Sequence, residues 1–307
     1  MLETPVAFFV FNRPRQTQQV FQAIRAAQPG TLFVVADGPR ADVPQDVEKC
    51  AATREVIRTG VDWPCEVITD LADHNLGLKK RVASGLNRVF SQTEEAIILE
   101  DDCLPDSSFF RFCSEMLNRF RSDPDIMQIT GTNLLPERRH NSSFFYSRWG
   151  SVWGWATWRR AWQFFDLEMR TWPEYKQSGD LSYFGSRRKM MVERLFDDWR
   201  RETSNSWAGP WTLACLARRG LAVVPSRNLV ANTGFDEDAT HTKAANRSLL
   251  CVPSGSIDFP LAAPSRKEPD RGYDRAFVGL LNGQPPMNLP ESIKHRLYML
   301  IHGRHAD

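Results

Sequence analysis

Five strand patterns, separated by four helical stretches, fill the first 130 residues and restrict the fold more than any other feature of this chain. Residues 6–11 read Val-Ala-Phe-Phe-Val-Phe without a polar break, as a strand covered on both faces should. Pro14 then opens a helical pattern to residue 27, with Val20, Phe21, Ile24 and Ala27 on one side, and Pro29-Gly30 ends it. Further strands are predicted at 31–36, 65–69, 96–99 and 126–130. Helices are predicted between them at 44–59, 78–90 and 107–120, the last with Ser107 as N-cap. Strands alternating with crossover helices predict an α/β chain with a Rossmann-like, mostly parallel central sheet and helices on both faces.

Sheets of this kind bind ligands beyond the carboxyl ends of their strands. Three polar groups fall there: Asn12-Arg13 just after Phe11, Asp37-Gly38, and Glu100-Asp101-Asp102. Their convergence on one rim says more than any of them alone. Adjacent carboxylates repel and raise one another's pKa, and a divalent cation relieves that repulsion. Mg²⁺ or Mn²⁺ takes one or two carboxylates and completes its shell with water and substrate phosphate. The acidic trio therefore predicts a metal that joins the protein to a diphosphate, against the plainer reading of an acidic turn in solvent. Asp37 suits a nucleobase or ribose, or equally a turn built on Asp-Gly-Pro. The segment from Asn75 through Gly77 to Lys79 and Arg81 brings basic side chains to a helix start, which favours a nearby phosphate.

The second half reads differently. Residues 144–173 concentrate aromatics, and Trp153, Trp155, Trp158 and Trp162 are spaced for a buried turn or helix. Most are expected in the core. Trp155 and Trp207 are the candidates for stacking on an acceptor sugar, whose apolar face packs against an aromatic ring. Helices are predicted at 186–203 and 211–219, and strands at 221–224 and 228–231. His241, in a Gly-containing acidic loop, is a candidate to complete a metal shell, although a lone His more often serves packing. Periodicity fades beyond 251, which reads as a loose wrap ending in a short helix at 291–301. The division expected is a domain of residues 1–245 (with halves 1–130 and 131–245) and an extension, 246–307.

With 39 basic and 37 acidic residues the chain is close to neutral, which gives no reason to expect nucleic acid. Basic clusters at Arg138-Arg139, Arg159-Arg160 and Arg187-Arg188-Lys189 read as solvated surface, or as contacts to an anionic membrane or a phosphorylated acceptor. The six cysteines have no Cys-x-x-Cys spacing, which suits a reducing compartment. Without a signal-peptide pattern or an 18-residue apolar window, the expectation is a cytoplasmic protein, with peripheral attachment at the inner membrane face left open.

These residues bring a family to mind. Asn75-Leu-Gly-Leu, a helix carrying Gly85 and Val89-Phe90, then Glu94-Glu95-Ala-Ile-Ile-Leu-Glu-Asp-Asp, resembles the central stretch of the N-acetylglucosaminyltransferase I family. The chain is similar also to bacterial hemolysin-like sugar transferases of GT-A fold, through Phe11-Asn12-Arg13-Pro14, Trp153-Gly-Trp-Ala-Thr-Trp158, Asn232-Thr-Gly-Phe235 and Thr240-His-Thr242. The resemblance implies a GT-A fold, a nucleotide-diphosphate sugar donor (UDP-linked most often), Mn²⁺ or Mg²⁺, and inverting transfer to a glycan or glycolipid hydroxyl. It implies that Asp102 binds the metal, that Asp101 and Glu100 face the ribose or donor sugar, that Asp37 lies near the base, and that His241 sits near the metal or diphosphate. One departure stands out. Such enzymes carry an acidic general base just after a Trp at a helix start, and here Ala208 follows Trp207. Asp198, Asp236 and Asp238 are the candidate replacements. The rival readings are a sugar nucleotidyltransferase, disfavoured by the absence of Gly from residues 11–14, and a nucleotide-sugar-binding protein with a degenerate site.

Overall fold

The computed structural model describes residues 1–136, 138, 140–201, 204–234 and 252–282. Strands β1 (Val6–Val10), β2 (Thr31–Ala36), β3 (Glu66–Leu71) and β4 (Glu95–Glu100) alternate with helices α1 (Pro14–Ala27), α2 (Gln45–Gly60) and α3 (Leu78–Gln92). Strand β5 (Cys103–Pro105), helix α4 (Ser108–Arg119) and strand β6 (Ile126–Thr130) follow. Strands β7 (Phe144–Ser147) and β8 (Trp155–Trp158) lead into the short helices α5 (Arg159–Trp162) and α6 (Trp172–Gln177), then a 3-10 turn, Asp180–Phe184. The chain continues through α7 (Ser186–Arg200), α8 (Ala208–Ala217), β9 (Leu221–Pro225) and β10 (Val230–Asn232), and α9 spans Arg271–Leu281.

Eight strands form one sheet in the order β3-β2-β1-β4-β8-β6-β9-β7, and β5 pairs separately with β10. Strands β3, β2, β1, β4, β6 and β9 run one way, and β8 and β7 run against them. The chain is thus a mixed α/β protein with a large, mostly parallel sheet flanked by helices, as the alternation predicts.

Side-chain alternation explains the two covered faces. Val6, Phe8 and Val10 of β1 pack with Leu32, Val34, Ile97 and Leu99 under α1, α2 and α4. Ala7 and Phe9 turn the other way, to Val82, Leu86, Val89 and Phe90 of α3 and to Trp155 and Trp211. Burying each such large apolar side chain stabilises the fold by roughly 1.5–3 kcal/mol, which makes the β1 register hard to shift. A third core joins α6, α7 and α9 to Phe145, Leu213 and Val224.

The register sets the functional rim. Val10 lies opposite Ala36, and Phe9 opposite Glu100. Residues following β1, β2 and β4 therefore leave the sheet side by side.

Several elements differ from the expectation. Trp155–Trp158 is a strand rather than the buried turn or helix expected, inserted antiparallel between β4 and β6. Ser107 occupies the N-cap of α4 without a side-chain bond, and Asp106 takes the Ser108 amide instead at 2.9 Å. Within the supposed loose wrap, α9 is a well-capped helix, with Asp270 accepting from the Tyr273 amide and Phe277 and Val278 buried. The helix expected at 291–301 lies outside the described residues. Arg159 and Arg160 are structural: Arg159 pairs with Glu94 at 2.5 Å, and Arg160 binds three backbone carbonyls while lying over Trp158. Cys50, Cys65, Cys103, Cys113 and Cys215 are free thiols. Among the described residues, no helix is long and apolar enough to cross a membrane.

Candidate active site

The acidic trio begins on the last residue of β4 and runs into the turn before β5. Arg13, just past β1, reaches across to it: one Nη1 nitrogen lies 3.1 Å from Asp102 Oδ2 and 3.4 Å from Asp101 Oδ1. The Phe11 amide donates to Asp101 Oδ2 at 3.3 Å. The electrostatics follow from one cation facing three acids. Burial, then Asp102 and Asp101, push the Glu100 carboxyl well above the usual carboxylate range. Burial and then Asp102 do the same to Asp101, with Arg13 pulling back. Burial disfavours a charged Arg13, yet Asp101 and Asp102 outweigh it and hold the guanidinium protonated.

A second segment closes on Asp102 from the far end of the chain. Pairing of β10 with β5 places Asn232 opposite Cys103. Thr233 then donates both its amide, at 2.7 Å, and its hydroxyl, at 3.1 Å, to the Asp102 carbonyl. At Gly234 a Cβ would stand 2.2 Å from Asp102 Oδ2, so any larger residue here would push the carboxylate from its present position.

Asp37 sits at the same rim after β2, with all its acceptor capacity taken by protein. Its Oδ1 receives the Gly38 and Leu76 amides, both at 2.9 Å, and its Oδ2 receives Asn75 Nδ2 at 3.0 Å and the Gly77 amide at 3.1 Å. A carboxylate offers about four lone-pair positions, so this one acts as the clamp of the 75–77 loop. Gly77, at φ +78°, makes the left-handed entry to α3 that the clamp requires.

Other candidates are placed differently from the expectation. Arg81, expected to add charge at a diphosphate, is buried and bound to Asp70, 3.0 Å from Oδ1 and also on the carbonyl; that charge is already neutralised. Among the described residues the Lys79 ammonium has no ion-pair partner, while its amide is capped from a distant segment by Asn205 Oδ1 at 3.2 Å. Trp155 and Trp207, expected to meet an acceptor, are 0% and 3% exposed and pack on each other with ring centroids 5.7 Å apart. Rings so enclosed cannot stack on a sugar, and their short-range spacing serves the core instead. Asp198 is exposed on α7 and paired with Arg201 at 3.3 Å, with no contact to the trio. Asp236, Asp238 and His241 lie outside the described residues. Ala208 does open α8, directly after Trp207.

The sequence reading missed Asp46. Buried at the start of α2, it accepts from Asn12 Nδ2 at 2.7 Å and from Arg40 Nε at 2.6 Å. Arg40 first, then Asn12, hold its carboxyl down at about 2. Arg40 in turn lies over the Phe11 ring, 5.6 Å from its centroid. An acid in the first turn of a helix is an ordinary dipole partner, so the local sequence held no signal for this network.

Among the described residues, no three His, Cys, Asp or Glu side chains converge as a ready-made metal cage. Mg²⁺ and Mn²⁺ do not need one, since one or two carboxylates suffice when substrate phosphate supplies the rest. The donor set here fits that use. Asp101 and Asp102 present hard oxygens with a single guanidinium between them, and Gly234 leaves Asp102 Oδ2 a cradle that any Cβ would fill.

No protein-family model and no curated protein matches the sequence. Among solved structures, the chain is similar to residues 1–349 of TarS from S. aureus, at 10% identity, 99% coverage of this chain, 71% of that chain and a TM-score of 0.42. It is similar to a UTP-bound UGPase from Acinetobacter baumannii, at 11% identity, covering 73% of this chain and 85% of that one, with a TM-score of 0.35. A UDP-glucose pyrophosphorylase complexed with UDP-glucose aligns at 9% identity over 73% and 90% of the two chains, with a TM-score of 0.36. At that similarity nothing about this chain's reaction follows from them. The resemblance to the N-acetylglucosaminyltransferase I family rests on residues 75–102 of the sequence.

Proposed function

We propose that this protein is a GT-A-type glycosyltransferase that moves a sugar from a nucleotide diphosphate, UDP-linked for preference, to a hydroxyl of a glycan or glycolipid, with inversion and with Mn²⁺ or Mg²⁺. The observation that carries the reading is the meeting of Arg13, Asp101 and Asp102 at the carboxyl rim of adjacent strands, against the backbone of Gly234. A bound divalent cation would supply Lewis-acid stabilisation of the departing diphosphate. Asp102, the more exposed of the two aspartates, is the residue to hold it, with Asp101 beside it. Glu100, half-buried at the end of β4, faces the donor sugar. Phe11 and Arg40 border the nucleoside side, and Lys79 adds positive charge toward the phosphates. Asp236 and Asp238 follow Gly234 by two and four residues, which makes them better candidates than Asp198 for taking the acceptor proton. The domain reading keeps residues 1–245 as the catalytic unit. The Asp270 amide, which donates to the Tyr146 carbonyl at 2.8 Å, and the buried face of α9 tie part of the extension to it.

The test is a thermal-shift and calorimetric screen of nucleotide sugars with and without Mn²⁺, followed by product analysis. Metal-dependent stabilisation by one donor, and sugar transfer from it, is the expected result. Pyrophosphate released from a nucleoside triphosphate would replace this reading with nucleotidyl transfer. Donor binding without transfer or hydrolysis would leave a binding protein, the reading that Ala208 at the head of α8 favours.

A further inference from the structure

The contact between Arg13 and the acidic trio has a particular form. Both ion pairs are made by the same Nη1 nitrogen, which sits between Asp102 Oδ2 and Asp101 Oδ1. A guanidinium that engages carboxylates through one nitrogen forgoes the paired, parallel bonds that make an Arg–carboxylate contact strong and specific. The side chains are partly open to water, at 23% for Arg13 and 20% for Asp102. Among the described residues the Arg13 side chain makes no other hydrogen bond or ion pair: it stands at the N-cap of α1, where Pro14 brings no N–H to satisfy and no side-chain cap bond is made. Among the described residues it is the one cation in ion-pair contact with these carboxylates.

Nη1 thus stands among the same oxygen atoms that a hard cation would need. A guanidinium and a divalent ion cannot share those lone pairs without direct repulsion. We propose that Arg13 is the resting counter-ion of this centre, that it competes with the divalent cation for the Asp101 and Asp102 oxygens, and that once displaced it serves as the bidentate partner of the donor's diphosphate. The proposal rests on the reading that a cation binds at Asp102, and it adds what that reading lacks, an account of what keeps the carboxylates in place beforehand. A guanidinium released from two aspartates at this rim faces the side where the phosphates enter, and phosphate is the group its planar fork matches best.

The experiment measures Mn²⁺ binding to the full chain without nucleotide, from the loss of the free Mn²⁺ paramagnetic resonance signal, for the native protein, Arg13→Gln, Arg13→Lys and Asp102→Ala. UDP binding is then measured at saturating Mn²⁺. Removing the competing charge should tighten Mn²⁺ binding by about fivefold in Arg13→Gln, the upper end for a partly exposed ion pair. Arg13→Lys keeps a charge at the start of α1 and should fall between the two, which preserves the comparison if the Gln variant folds poorly. UDP affinity at saturating Mn²⁺ should fall about tenfold in Arg13→Gln, because the diphosphate loses its partner. Equal or weaker Mn²⁺ binding in both Arg13 variants, with Asp102→Ala abolishing it, overturns the competition while leaving the metal at Asp102. Mn²⁺ binding that survives Asp102→Ala unchanged, or that no protein shows even with UDP present, removes the metal reading and this inference together.

Discussion

The Asp37 carboxylate takes the Gly77 amide at 3.1 Å, which ties the end of β2 to the residue that opens α3. With the bonds from Gly38, Asn75 and Leu76, this makes Asp37 the keystone of a loop. Asp37→Ala leaves buried or half-buried amides without an acceptor and should cost about 3 kcal/mol of stability. Urea unfolding followed by circular dichroism checks this. An unchanged midpoint would show that the loop holds itself and free Asp37 for a ligand role.

Asp102→Ala is expected to act oppositely. Thr233 bonds the Asp102 backbone carbonyl, so the β5–β10 junction survives loss of the side chain. Removing one carboxylate from a mutually repelling trio also relieves Glu100 and Asp101. Stability should stay within about 1 kcal/mol of the native protein, while Mn²⁺-dependent stabilisation by nucleotide sugar disappears. Retained metal-dependent donor binding in isothermal calorimetry would break the assignment of Asp102.

Trp155 is predicted to matter through packing. It contacts Trp162, Trp207 and Trp211 and is fully buried. Trp155→Ala should destabilise the fold by about 3–5 kcal/mol, the usual range for emptying a large aromatic site. Where enough folded protein remains, its donor affinity should be native. A loss of acceptor affinity without loss of stability would restore a substrate-facing role.

The pH dependence expected of Asp274 has a definite sign. Burial pushes its carboxyl up to about 6, although bonds from Ser147, Tyr183 and the Arg148 amide favour the ionised form. The folded protein therefore holds a proton more tightly than the unfolded chain between about pH 4 and pH 6. This group's contribution is fully present below that window and is lost as pH rises through it, by about 3 kcal/mol in total. The stability difference between the native protein and Asp274→Asn should shrink by about 2 kcal/mol from pH 4 to pH 6.5 in denaturant titrations. A difference independent of pH would mean that Asp274 is ionised throughout.

Much of the fold is legible in the sequence because β1, β2 and β4 are continuous apolar runs, and a run covered on both faces has few alternatives. The rim was legible for the same reason: once the strands are parallel, Arg13, Asp37 and the acidic trio must emerge together. What stayed hidden depends on partners distant in sequence. Arg81 looks like a free basic residue until Asp70 of the neighbouring strand neutralises it, 11 residues away. Asn205 caps α3 from 126 residues away. The tryptophans around 155 suit a core or a sugar-stacking surface equally well until the antiparallel insertion of β8 encloses them. Helix α9 was obscured by prolines and charges before it, although its cap and buried face are ordinary once seen.

The reversed direction of β8 has a consequence for how such a protein diversifies. Thr130, where β6 ends, pairs with Trp155, where β8 begins, so the chain departs after β6, supplies β7 at the far edge of the sheet, and returns to the margin it left, next to Ile98 near the end of β4. Lengthening or trimming the connections on either side of β7 changes what lies over that margin and leaves every strand partner as it was. Selection can therefore refit what covers this margin by editing the connections on either side of β7, with the acidic trio and its supporting strands untouched.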